Sequence, residues 1–498
     1  MTYPIAVKPS SVVKPPLNSD QQAAVSGILE WLAKADLEHY PANADSMACL
    51  VGPAGTGKTF SLQEVINQRA AYEKTLEVAQ AAPVALLSMD SPLFANDGRL
   101  SLHFCAPTNK AAKVLREVLK KGSGEPVRAV TIYGLLGLKL EANGNVKEIK
   151  TPEKLPKMSP TDVIICDEAS MLNTTLMNYC TRIATESGAR FLFVGDPYQL
   201  PPVHETSSPV WNIPLQFTLK KVMRHDNSIL TLATHVREQI GNPFANLRIV
   251  HSPDSVGDGT GELDYPDQNL SGVLKLGQAS YLAAMEAAAA RGLFSTPNQS
   301  KVVAWRNVTV QTYNRRIKQA IARAGGFPDA EDLSLPFCAG DRIIAAGPCN
   351  NQSSNKKEQF PLMHTDDEAT VIYAEEGFSP WHPEYKVMIL TARLDDTNQE
   401  VELHALHPDS QTRWEAELKT IAEAAKTNRY KWKDYWDLKE AFHDIRLAYA
   451  ITAHRAQGST YEQVFVDQAD ILINRNRAEA LRCFYVAVSR PKTALWLP

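Results

Sequence analysis

The chain has 498 residues, of which 44% are apolar and 22% charged, close to globular averages. That length suits three or four domains with a sizeable core, and it excludes disorder as a description of the whole chain. With 52 basic against 56 acidic residues the net charge is −4. A histone-like protein carried by overall positive charge is therefore excluded, and any nucleic-acid site must be a local groove.

Residues 1–16 are Pro-rich and read as a loose, flexible tail without the basic start and apolar stretch of a signal peptide. Leu17-Asn18-Ser19-Asp20-Gln21 then opens a helix, with Asn18 or Ser19 as cap and Val25, Ile28, Leu29 and Leu32 at helical spacing. Ala48 to Val51 is a short apolar strand running into Gly52-Pro53-Ala54-Gly55-Thr56-Gly57-Lys58-Thr59, with a helix from Phe60. Residues 88–100 read as a surface insertion. Leu102 to Ala106 is the next strand, and Asn109 to Lys121 the next helix.

Residues 134–157 break this rhythm, because Leu138-Lys139-Leu140 and Val146-Lys147-Glu148-Ile149 flank Asn143-Gly144, a strong hairpin signal. Strands resume at Val163 to Cys166, Phe191 to Val194 and Lys301 to Ala304, with an Ala-rich helix at Tyr281 to Leu293 and another helix after Asn307. From Leu333 to Asp437 short β-like runs alternate with Gly, Pro and Asn turns, which reads as an inserted small β domain. Helical periodicity returns near Trp436 to Phe442, and the last αβ units are Ala448 to Thr452, Val464 to Asp467 and Cys483 to Val488. The seven cysteines contain no Cys-x-x-Cys pair, which disfavours a zinc ribbon or a disulfide framework and fits a reducing cytoplasm. No apolar run is long enough to span a membrane.

Gly52-x-x-x-x-Gly57-Lys58-Thr59 is a full P-loop in the right context, strand before and helix after. Its glycines let backbone amides approach phosphate oxygens, Lys58 reaches the β- and γ-phosphates, and the Thr59 hydroxyl binds Mg²⁺. Val163-Ile164-Ile165-Cys166-Asp167-Glu168 is a buried strand ending in two carboxylates. Asp167 can hold the Mg²⁺ shell and Glu168 can polarise the attacking water. Alone this pair could be an ordinary strand end; downstream of a P-loop it reads as its catalytic partner.

The ordered set resembles superfamily 1 DNA helicases of the 5′→3′ class, with Dda-like helicases first and RecD-like helicases next. Leu17-Asn18-x-x-Gln21 is similar to the adenine-reading Q motif, and residues 52–59 to motif I. Cys105 to Ala112 resembles motif Ia, Thr131-Ile132-Tyr133 motif Ib and Asp167 to Met171 motif II. Gly195 to Val203 resembles motif III, Arg224 falls at motif IV, and Ile451 to Thr460 and Tyr485 to Arg490 resemble motifs V and VI. A Trp432-Lys433-Asp434-Tyr435-Trp436 run before motif V favours the Dda-like branch. Departures are Tyr133 where motif Ib usually has His, Asn109 where Dda-like members have His, and an Asn-Gly hairpin tip where they carry an aromatic residue.

The resemblance implies an α/β fold of two RecA-like P-loop domains, the first with an inserted β-hairpin pin, the second with an inserted small, tower-like β-barrel. Residues 17–133 and 158–235 would form the first, 134–157 the pin, 236–332 and 438–498 the second, and 333–437 the barrel. ATP and Mg²⁺ would bind at Gln21 and at Gly52, Pro53, Ala54, Gly55, Thr56, Gly57, Lys58 and Thr59, with Thr59 and Asp167 on the metal. Lys58, Asp167, Glu168, Gln199, Arg224 and Arg490 would be catalytic, Gln199 as γ-phosphate sensor and the two arginines as γ-phosphate partners. Single-stranded DNA would meet Pro107, Thr108, Asn109, Lys110, Thr131, Tyr133, Pro201, Asn307, Thr452 and His454. Trp305 and Tyr313 are stacking platforms or core aromatics, and Trp432 and Trp436 read as packing residues. The expected function is ATP-dependent 5′→3′ unwinding in replication, recombination or repair. The chain would be a cytoplasmic monomer acting on single strands and junctions, with replication or single-strand-binding proteins as candidate partners. The alternative is an ATP-switched remodelling subunit without processive unwinding. A P-loop kinase is disfavoured, since it needs no equivalents of motifs V and VI.

Overall fold

The computed structural model describes residues 16–34, 46–81, 101–121, 124–140, 146–148, 158–160, 162–223, 228–242, 271–325, 335–351 and 360–498. Arg224, the hairpin tip Asn143-Gly144, the N-terminal tail and the 88–100 segment lie outside these residues.

Two parallel sheets organise the chain. The first has the order Ala129–Thr131, Ser101–Ala106, Asp162–Cys166, Arg190–Gly195, Met47–Val51, Gln216–Thr218. Its central strands are continuous apolar runs because helices cover both faces. The two-residue side-chain period sorts them cleanly. Ala48, Leu50, Ile165 and Val194 enter one core with Val25 and Ile28, whereas Cys49, Ile164, Cys166 and Phe193 enter the other with Leu176 and Val210. The second sheet has the order Ala450–Thr452, Ser300–Ala304, Tyr461–Val466, Pro491–Leu497, Gly272–Lys275 and is likewise parallel. The Phe465 and Trp496 rings stack at 5.2 Å in one of its two cores.

The switch from first to second body comes earlier than the expected 235/236 boundary. Helix Ser228–Gln239 already belongs to the second body, burying Ile229, Leu232 and Val236 with Phe484 and Leu495.

The inserted domain is a five-stranded antiparallel sheet ordered Glu400–Leu406, Lys386–Leu394, Glu368–Phe378, Arg342–Ala345, Ile445–Leu447. It runs past the expected limit at 437, since Ile445–Leu447 pairs with Arg342–Ala345 and Leu438 and Phe442 pack with Tyr385, Val387 and Leu418. In place of a fully laddered barrel, the sheet curls until its edges meet at two histidines. The His443 amide donates to His404 O at 2.8 Å, and the His404 amide donates to His443 Nδ1 at 2.9 Å. His443 Nε2–H donates in turn to Asn350 O. Trp432 and Trp436 sit on helix Lys431–Lys439, in edge contact with Tyr435, and that helix packs on Pro408–Thr427 of the same domain. The hairpin arms Leu138–Leu140 and Val146–Glu148 pair antiparallel. Among the described residues no helix is long and apolar enough to cross a membrane.

Candidate nucleotide cleft and nucleic-acid loops

The P-loop follows a fully buried strand and ends as helix Lys58–Ala81 begins. Gly55 and Gly57 take φ of +82° and +84°, a region that a Cβ disfavours. Space demands Gly57 as well, because an added Cβ would stand 2.4 Å from Gln21 Nε2. Gln21 is buried and its amide donates to Thr56 O at 3.0 Å. The Asn18 amide donates to Gln21 Oε1, and the Gln21 amide donates to Asn18 Oδ1, a reciprocal cap that fixes the first helix against the loop. Lys58 Nζ donates to Gly52 O at 2.8 Å and Pro53 O at 3.1 Å, which keeps its charge within the loop.

Asp167 and Glu168 end the strand Asp162–Cys166. Glu168 takes φ +51°, and its amide donates to Asp167 Oδ1 at 2.8 Å. Burial, followed by the charge of Glu168, pushes the Asp167 carboxyl up to about 7, only partly opposed by Lys58. A half-buried acid short of positive charge, beside a second acid, is a donor set that suits a divalent cation. Thr59 and Asp167 are the residues that would hold Mg²⁺.

Motif III meets the P-loop through the second body. Asp196 is fully buried at the end of Arg190–Gly195 and accepts from the Tyr485 hydroxyl at 2.7 Å. The same hydroxyl accepts from the Ala54 amide at 3.1 Å. Arg482, one turn earlier on the helix Arg477–Val488, donates to Pro197 O and Gln199 O at 2.6 and 2.8 Å. Gln199 itself is buried, with its Oε1 unpartnered. From motif V, Gln457 donates to Ser170 Oγ at 3.0 Å. The cleft between the bodies is lined by Pro53, Ala54, Val222, Arg237, Tyr485 and Ser489.

Arg490 departs from expectation. Its guanidinium is buried and donates to Val486 O, Ser459 O and Ser489 Oγ, all in its own body. It reaches the cleft through Ser489 and not with its own nitrogens.

The nucleic-acid candidates occupy matching places in the two sheets. Thr131 ends the edge strand of the first sheet and Thr452 the edge strand of the second, opposite Ala106 and Ala304 respectively. Each threonine caps a short helix, its hydroxyl oxygen accepting from the Gly134 or Arg455 amide. Thr108 does the same for Ala111 at the start of Asn109–Val118. Pro107, Asn109, Tyr133 and Pro201 are half-buried, Asn307 is exposed at its helix start, and His454 is exposed. Partial desolvation of its ring lowers His454 below the usual histidine range, opposed by Glu479 nearby.

Lys110 does not face a strand. Its ammonium is shielded from solvent 3.8 Å from Glu368 of the inserted domain. Tyr313 is no stacking platform either, since it is buried and donates to Asp467 at 2.8 Å, and Trp305 packs on the second-body core.

Sequence reasoning assigned no role to Arg482, Arg237 or the Tyr485 hydroxyl. The i, i+3 spacing of Arg482 and Tyr485 before a motif VI arginine is the only local signal they carry.

Residues 33–247 match the AAA domain family and residues 447–497 the UvrD-like helicase C-terminal domain family. The chain is 22% identical to an uncharacterized protein of Acanthamoeba polyphaga mimivirus, covering 96% of this chain and 99% of that one. It is also 22% identical to the ATP-dependent DNA helicase dda of Enterobacteria phage T4, over 83% and 86% of the two chains. Among solved structures, Pif1 helicase from Candida albicans matches with a TM-score of 0.45 and 16% identity, covering 97% of this chain and 94% of that one. With the ordered motifs, these sequence matches mark the chain as an ATP-hydrolysing helicase similar to the Dda group of superfamily 1.

Proposed function

We propose that this protein is an ATP- and Mg²⁺-dependent DNA helicase that moves 5′→3′ on single-stranded DNA and opens duplexes ahead of it. The observation that carries this is the Tyr485 hydroxyl, which joins the Ala54 amide of the P-loop to Asp196 of motif III from the opposite body. A nucleotide bound at the P-loop is then sensed by both bodies, and closure and opening of the cleft become steps along a strand.

In this reading Gly52 to Gly57 cradle the phosphates, and Lys58 neutralises the β- and γ-oxygens. Thr59 and Asp167 would hold magnesium, which when bound would supply Lewis-acid activation of the γ-phosphoryl group. Glu168 accepts the proton of the attacking water, and its carboxylate faces Gly458 of motif V, so hydrolysis is read on the second body. Gln199 reports the γ-phosphate to Pro201 beside the strand. Arg224 and Arg237 are the cationic candidates for the transition state, and Arg490 orders Ser489 at the cleft.

DNA lies across the C-terminal edges of both sheets, on Pro107, Thr108, Asn109, Thr131 and Tyr133 in one body and Asn307, Thr452 and His454 in the other. The 138–148 hairpin is the separating pin. Its Asn143-Gly144 tip carries no ring to stack, so strands part by exclusion. The setting is the cytoplasm, with junctions in replication, recombination or repair as substrates and a monomer as the acting unit. Strand displacement from duplexes carrying a single 5′ or a single 3′ tail tests this reading.

A further inference from the structure

One acidic turn of the inserted domain touches the candidate DNA loops of both motor bodies. The turn is His364 to Glu368, and Asp366 within it takes φ +67°, a conformation that costs free energy in a non-glycine residue. Glu368 stands 3.8 Å from Lys110 on the motif Ia helix of the first body. Asp366 stands 3.3 Å from Arg455 on the motif V helix of the second body. Two further contacts brace the same arrangement. Lys113, also on the motif Ia helix, pairs with Asp396 at 3.3 Å, and Arg455 donates to Ala346 O at 3.1 Å.

Glu368 gathers cations from all three parts of the molecule. Besides Lys110, it takes Lys301 at 2.9 Å from the second sheet and Arg342 at 3.3 Å from the insert. Although burial opposes ionisation, Lys301, Lys110 and Arg342 hold the carboxyl down to about 2, so it is charged at every working pH.

We propose that Asp366 and Glu368 are positioning residues that act as a stop, setting the separation of the motif Ia and motif V loops at one end of the cleft's movement, so that each cycle of closure and opening advances the strand by a fixed step. The inference rests on the helicase reading above. A turn that merely masked the DNA loops would have to leave when a strand arrived. Glu368 cannot readily leave, because Lys301 and Arg342 belong to no DNA loop and Arg342 is only 2% exposed. Neutralising either acid therefore leaves the chemistry of the cleft in place and loosens the distance between the loops.

The test uses the full chain with Asp366→Asn and Glu368→Gln. Three quantities are read: base pairs opened per ATP on a tailed duplex, affinity for a labelled oligo-dT, and melting temperature. Both variants are expected to keep DNA-stimulated hydrolysis within about twofold of the parent while base pairs per ATP fall about tenfold. Folded variants with unchanged coupling would overturn the proposal. So would tighter oligo-dT binding with coupling intact, the mark of a mask. If Glu368→Gln does not fold, Asp366→Asn decides alone, since it breaks one partly exposed pair. A parent chain that opens no duplex sinks the helicase reading separately. The strut is then judged by the variants' rate of streptavidin displacement per ATP: a fall of about tenfold supports it, and an unchanged rate overturns it.

Discussion

Replacing Tyr485 with Phe removes one oxygen and leaves the ring in place. That oxygen donates to buried Asp196 at 2.7 Å and accepts from the Ala54 amide at 3.1 Å. A hydrogen bond to a charged group contributes about 1.5–3 kcal/mol and a neutral one about 1 kcal/mol. Asp196 keeps its bond from the Tyr198 amide, and water can enter from the cleft side, which brings the net loss somewhat below that sum. A net loss of about 2 kcal/mol corresponds to roughly thirtyfold in the balance between docked and undocked bodies. The loss falls on docking, because no apolar group is removed and the ring stays in the second-body core, where Leu200 and Ala54 of the first body also pack. Steady-state ATP hydrolysis with saturating oligo-dT should therefore show kcat lowered about thirtyfold, with melting shifted by only about 2 °C. A Tyr485→Phe protein with the parent kcat would refute the claim that this hydroxyl couples the bodies.

Lys58→Ala should abolish DNA-stimulated hydrolysis; retained turnover in a phosphate-release assay would remove the P-loop from the mechanism. Gly57→Ala drives a Cβ into Gln21 at a positive φ, and should weaken binding of a fluorescent ATP analogue about tenfold; unchanged affinity would show that Gln21 yields freely. Asp167→Asn should end hydrolysis yet raise the melting temperature without divalent cations. The native carboxyl, raised to about 7 from an unfolded value near 3.9, contributes stability at low pH that is lost as pH rises through that window. The gap between variant and parent should thus be widest above pH 7 and close towards pH 4. A gap independent of pH would contradict the assignment.

What was legible in the sequence was local. The P-loop and the Asp167-Glu168 strand end are each set by a few neighbouring residues, and the hairpin arms by the alternating segments 138–140 and 146–149. The links between bodies were not legible, because they join residues far apart in the chain. Tyr485 lies 289 positions from Asp196 and 431 from Ala54. Lys110 was misread for the same reason: beside Thr108 it looks like a phosphate ligand, but its partner is an acid 258 residues later in an insertion. Arg490 was misjudged because the motif records a type and a place but not where the side chain turns. The domain limits at 235 and 437 moved because helix Ser228–Gln239 and strand Ile445–Leu447 are claimed by their packing and pairing partners.

The most direct measurement is strand displacement on matched duplexes with one single-stranded tail, 5′ or 3′, with ATP and Mg²⁺. Opening is expected from the 5′-tailed duplex alone, with none for the Lys58→Ala protein. Opening only from the 3′ tail, or hydrolysis without opening from either, would contradict the proposed 5′→3′ helicase.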